Sequence, residues 1–166
     1  MGFATTEPAM HFHISGLPAV DFKDLFALDD ASLDARGMCR MIADADFGYP
    51  DRVTLSDVPT GTELILLNFH HQTADTAYNA TGPIFVSRGE GGPVQLVDQV
   101  PDCLRRRQLS LRGYDQVGMM TQAVLADGAD FETAIETLFD VPGTSYVHAH
   151  YATRGCFAAR IDRHQA

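Results

Sequence analysis

The sequence predicts an α+β fold, a largely antiparallel β-sheet with two or three short helices. Three observations lead there. The apolar runs are short and bounded by Gly, Pro and Asp; only the stretch around residues 131–139 repeats apolar side chains at a clear helical period; and no regular alternation of strand and long helix supports a doubly wound parallel sheet. The 166 residues fall in the size range of one domain, expected to span 1–166 with residues 1–10 as a loosely ordered tail.

His11 to Leu17 alternates weakly and stops at Gly16 and Pro18, which predicts a first strand. Asp21 is a candidate cap for a short helix carrying Leu25 and Phe26, and Asp29 or Asp30 for a second helical turn that Gly37 closes. The pattern is irregular from Cys39 to Pro50. Two strands are expected next, Arg52–Leu55 and Thr62–Asn68. The continuous Leu64–Leu67 run of the second calls for burial on both faces or a central place in the sheet. Residues 72–83 read as a polar loop containing Tyr78 and Asn79, followed by brief strands at Ile84–Val86 and Val94–Val97. Leu109–Arg112 and Val117–Leu125 extend the strands, with Gly113 and Gly118 as bends or bulges. Phe131, Ile135 and Leu138 recur on one stripe, so Phe131–Phe139 is the clearest helix, with Asp130 at its start and Pro142-Gly143 beyond its end. Ser145–Ala152 and Cys156–Ile161 complete the chain as a pair of strands.

The formal charge is −10, from 22 acidic residues against 12 Lys and Arg, a surface that repels a phosphate backbone. The only dense basic run, Arg105-Arg106-Arg107, has no aromatic array with which to stack bases, so no nucleic-acid partner is expected. Acidic charge is concentrated in the first half: residues 1–83 hold twelve acids and four bases, residues 84–166 ten and eight. An anionic small-molecule ligand would meet less repulsion in the second. No stretch has the length and apolarity of a membrane span or a leader, so no membrane partner is expected. Three widely spaced cysteines, Cys39, Cys103 and Cys156, form no CxxC motif and suit a reducing cytoplasm.

The residues able to carry chemistry concentrate between Tyr146 and Arg160. On a strand, His148 and His150 share a face with Tyr146, while Val147, Ala149 and Tyr151 take the other and suit a core. Ordinary hydrogen-bonded histidines are the expected state, and a divalent metal the sharper alternative, which needs a third ligand. His70, His71, Cys156 and, more remotely, Asp115 are the candidates. Cys156 is also a candidate nucleophile, bracketed by Arg154 and Arg160 with the two histidines as general bases, giving His148, His150 and Cys156 as the catalytic set. Its face depends on the loop: four loop residues pair Tyr151 with Cys156 and turn the thiol away from the histidines, and one residue more or less reverses that. Arg112, which shares a strand face with Ser110 and Tyr114, needs a carboxylate such as Asp44 or Asp46, or a ligand. Arg112, Arg160 and Tyr78 are the candidate ligand-binding residues. The function these suggest is binding of, or action on, a small anionic molecule in a His/Cys/Arg pocket. The alternative is a non-catalytic domain in which the same cluster serves packing or a homodimer contact.

Five stretches, ISGL at 14–17, YPDRVTLSD at 49–57, GPIFVSR at 82–88, LSLRGYD at 109–115 and YVHAHYATRGCFAAR at 146–160, give the chain a resemblance to DUF1203, a family of small bacterial proteins of unknown function. The resemblance implies a domain and a site location but no reaction. One departure stands at Asp51, where members of the family often carry Cys. If that position were an essential thiol or ligand, a carboxylate would replace it here.

Overall fold

The structure, a computed structural model, describes residues 10–165; the tail expected over residues 1–10 lies outside them except for Met10. It is an α+β fold of two sheets.

Nine strands carry most of the architecture: β1 (Phe12–Ser15), β2 (Cys39–Ile42), β3 (Pro50–Asp51), β4 (Ser56–Asp57), β5 (Glu63–Gln72), β6 (Ala80–Ser87), β7 (Gln95–Val97), β8 (Gln108–Tyr114) and β9 (Met120–Asp127). The last two, β10 (Tyr146–Tyr151) and β11 (Phe157–Arg163), form the hairpin that the sequence places at the C-terminal end. The larger sheet has the order β7-β1-β11-β10-β8-β9 and is antiparallel throughout; the smaller has the order β2-β5-β6-β3-β4, with one parallel pairing, β3 with β6. The Leu64–Leu67 run lies on β5, flanked by β2 and β6, with Leu64, Ile65 and Leu67 buried.

The main core forms where α3 (Phe131–Asp140) packs on the larger sheet. Phe131, Ile135, Leu138 and Phe139 lie against Leu109, Leu111, Val147, Ala149 and Ile161. Each such side chain contributes about 1.5–3 kcal/mol by leaving water, which makes this face the principal anchor of β10. Asp130 occupies the position before α3 but makes no side-chain capping bond.

Several local expectations are corrected. Arg52–Leu55 is a turn rather than a strand, because the Asp51 carboxylate accepts from the amides of Val53 and Thr54 and Leu55 has a φ of 55°. That local hydrogen bonding offers the backbone an alternative to a sheet ladder. Asp51 also accepts from the amide and hydroxyl of Ser87 and the hydroxyl of Thr54, so this carboxylate is a buried clamp between turn and strand. The supposedly irregular Cys39–Pro50 begins with β2 along β5. The loop expected over 72–83 shrinks to residues 73–79, since β5 and β6 run on as a pair past the apolar residues. Asp21 caps no α-helix: two 3-10 turns, Ala19–Asp21 and Lys23–Ala27, occupy that segment. Asp29 does cap α1 (Asp30–Asp34), accepting from the Ser32 amide at 2.8 Å, and Gly37 follows it with φ +70°. A helix missed in sequence, α2 (Asp102–Arg105), ends on the first arginine of the basic run.

Candidate functional site

The face of the larger sheet turned away from α3 carries the histidines. Cross-strand register places Arg112 of β8 and Arg160 of β11 on either side of His148 of β10, and Ser110 and Phe157 on either side of His150. Cross-strand partners share a face of a pleated sheet, so one row reads Arg112-His148-Arg160 and the next Ser110-His150-Phe157. The second row exists because of a bulge. His148 pairs with Arg160 and Ala149 with Ala159, but the register then shifts and His150 meets Phe157 rather than Ala158.

The third histidine comes from the other sheet. The β5–β6 register shifts between His70 and Gln72, and bulges of this kind re-aim a side chain. His71, at that shift, has its ring 5.0 Å from that of His150 and 6.2 Å from that of His148. Each of the three offers a ring nitrogen, and all three lie within 4.8 Å of one another. His148 and His150 are 2% and 1% exposed. His71 Nδ1, His148 Nδ1 and His150 Nε2 are buried and meet no hydrogen-bond partner.

The protonation states follow from the surroundings. His150 Nδ1 lies 3.0 Å from the carbonyl oxygen of Gly155. A carbonyl only accepts, so Nδ1 carries the hydrogen and the neutral ring has its lone pair on Nε2. Burial pushes His148 down to about 3, with His150 and Arg160 adding to the effect, and His150 down to about 4, against the Gly155 hydrogen bond and with Arg112 adding. His71 is lowered for the same first reason, burial, and then by Arg112. All three are therefore neutral at physiological pH, the form that binds metal.

Phe157 forms one wall. Its ring stacks on His71 at 5.3 Å and meets His148 and His150 edge-on at 5.1 and 5.8 Å. A cavity of about 410 Å³ opens on the other side, lined by His71, Gln72, Gly118, Tyr146, His148 and Arg160. Gly118 is required there: its φ is +88°, and a Cβ would sit 2.2 Å from that of Ala74.

Of the residues singled out in sequence, His148, His150, Arg112 and Arg160 share this face. Arg112 donates to Ser110 Oγ at 3.2 Å, and no described carboxylate forms an ion pair with it. Asp44 is engaged by the Tyr49 hydroxyl and Asp46 by Thr60, so neither is the counter-ion expected for Arg112. Arg160 pairs with Asp162 at 2.8 Å and lies over the Tyr146 ring. Tyr78 is one ring removed: it meets Tyr114 edge-on, and Tyr114 in turn packs against Tyr146 and His148.

Cys156 goes elsewhere. Tyr151 donates its amide to the Cys156 carbonyl, the pairing of the four-residue loop, and the thiol lines a different cavity with Tyr151 and Arg154. Of the proposed third ligands, only His71 joins the pair. His70 bonds Asn79 instead, and Asp115 holds the amides of Val117 and Met119.

Residues 48–163 match the family model described as a protein of unknown function, DUF1203. The chain belongs to that family. The matched span holds all three histidines and both neighbouring arginines, so the cluster lies inside the DUF1203 domain. No curated protein and no solved structure matched the chain. No described helix is long and apolar enough to cross a membrane.

Proposed function

We propose that the protein is a cytoplasmic metal-binding domain in which His71, His148 and His150 hold one divalent late first-row ion, zinc being the first to test, beside a site for a small anionic ligand. The observation that carries this reading is the convergence of three imidazoles, His148 and His150 buried and His71 half-buried, each offering one nitrogen within 4.8 Å of the others and each keeping one buried nitrogen without a hydrogen-bond partner. An unpartnered buried polar atom costs about 1–3 kcal/mol, and a metal ion is one partner that such a nitrogen can take. The Gly155 carbonyl supports it by fixing the tautomer of His150, as outer hydrogen bonds do for metal-ligating histidines.

Three protein nitrogens leave a tetrahedral ion one position for water or a ligand. An ion with such a position acts as a Lewis acid or activates water. Arg112 argues for an anion there: its positive charge opposes a bare dication but favours a carboxylate, phosphate or hydroxide bound to one.

The test is metal titration of untagged, chelator-stripped protein with Zn²⁺ and Co²⁺. One equivalent should bind with a rise in melting temperature, and cobalt should give the visible absorption of a low-coordinate site. His148→Leu should weaken binding by more than the about 10–100-fold that loss of an outer hydrogen-bond partner of a ligand costs. Substoichiometric metal together with unchanged melting under chelator would overturn the reading.

One observation favours a second reading, the packing role: His71 lies parallel to Phe157, with an interplanar angle of 4°. In that case His148→Leu leaves stability unchanged or raised and metals have no effect.

A further inference from the structure

The larger cavity, about 650 Å³, lies away from the histidine face, between the smaller sheet and the loops before β8 and between β10 and β11. Leu66, Pro83 and Phe85 supply one wall and Tyr151 another. Its volume is in the range of small-molecule pockets, about 300–1,000 Å³.

Arg52 lines this cavity and is only 3% exposed. Its Nε donates to the Phe157 carbonyl at 2.8 Å, its Nη1 to the Pro50 carbonyl, and its guanidinium lies 5.1 Å from the centre of the Tyr151 ring. Among the described residues Nη2 meets no acceptor and no carboxylate forms an ion pair with Arg52. The adjacent Asp51 spends its hydrogen bonds on neutral donors of Val53, Thr54 and Ser87; its charge attracts the Arg52 guanidinium without forming an ion pair. Buried charges in proteins are ordinarily paired, because desolvation without a counter-charge is costly. A guanidinium that remains charged at any physiological pH has no means of neutralising itself.

The other cations around the cavity repeat the imbalance. Arg107 is paired, holding Asp57 at 2.6 and 2.9 Å. Arg106 lies over the Phe47 ring at 4.4 Å and Arg154 stands at the cavity edge; neither forms an ion pair with a described residue. Four guanidinium groups thus line an apolar-walled space, with Asp57 paired to Arg107 and the buried Asp51 next to Arg52 in sequence, on a chain whose net charge is −10. Concentrated cationic charge against that background is a local field for an anion.

We propose that this cavity is a second binding site, for a small carboxylate or phosphate ester with an apolar body, in which Arg52 is the buried counter-charge and Arg106 and Arg154 close over the charged end. The apolar body would lie against Leu66, Phe85 and Tyr151. None of the three histidines lines this cavity.

Cys156 reports occupancy, since its partly exposed thiol lines the cavity. Cys39 is exposed and Cys103 buried, so a Cys39→Ser background leaves one accessible thiol. The experiment follows iodoacetamide alkylation of Cys156 by mass spectrometry with benzoate, phenyl phosphate, inorganic phosphate or phenol present. At least one of benzoate and phenyl phosphate should slow alkylation saturably, and the more effective of them identifies the charged group; inorganic phosphate and phenol should protect far less. Arg154→Ser and Arg106→Ser remove no ion pair of the fold and should each weaken protection by about three- to tenfold. Arg52→Met should abolish it, with a melting curve to confirm that the variant is folded. Protection must persist in His148→Leu, which separates this site from the metal centre. Absence of protection by either aromatic anion, equal protection by phenol, or indifference to both surface arginines would overturn the proposal.

Discussion

The two faces of β10 are buried almost equally and differ in what meets them. Val147 and Ala149 are fully enclosed by the α3 core, where Leu109, Leu111 and Ile135 complete a dry, close-packed layer. One residue out of phase, His148 and His150 are just as hidden from water, yet each keeps a ring nitrogen without a partner. Burial on the first face stabilises the fold; burial on the second holds polar groups in a state that costs stability, a pattern associated with functional sites. The same strand thus serves as anchor on one side and, on the other, carries two of the three histidines proposed to hold a metal ion.

Truncating the anchor should have the largest effect. Leu111→Ala opens a cavity in the α3 core and should cost about 3–5 kcal/mol by urea denaturation, while the folded fraction still binds one equivalent of zinc. If zinc binding is lost from protein shown to be folded, the two faces are not separable.

Between neutrality and pH 5, acid should then act first on the histidine face. In the metal-free protein the folded state holds His148 at about 3 and His150 at about 4, against an ordinary 6.5. Between those values and 6.5 the unfolded chain binds more protons than the folded one, so stability rises with pH through that window and is lost as pH falls. At pH 5 each histidine should subtract about 2 kcal/mol relative to pH 7.5. Urea midpoints that coincide at the two pH values would contradict this, and His148→Leu should remove its share of the difference.

The smallest expected effect belongs to Arg112. Replacing it with Gln relieves the repulsion of a dication and should tighten zinc binding by about two- to fivefold at low salt. It should also weaken any anion held on the metal. Unchanged zinc affinity in Arg112→Gln would show that its charge is screened from the site.

Much of this was legible in the chain. Strand parity put Tyr146, His148 and His150 on one face, and the 131–139 periodicity located α3. Three decisive features were not. His71 is remote in sequence from β10, and nothing local distinguishes it from His70; a register shift in β5–β6 selects it. Phe157 faces His150 because a bulge inserts one residue in β11, and alternation cannot predict a bulge. Arg52 read as part of a strand, but Asp51 bends the backbone there by accepting two amides, leaving the guanidinium at the edge of a cavity.

The sequence by itself determined the α+β class, the family, the acidic surface and the pairing of two histidines on one strand face. These rest on composition, recognisable local stretches and a two-residue repeat, all properties of neighbouring residues. Only the tertiary structure decided that a third histidine from the other sheet completes the set, and that Cys156 and Arg52 belong to a separate cavity. Those outcomes depend on register between segments distant along the chain, where one inserted residue reverses a side chain.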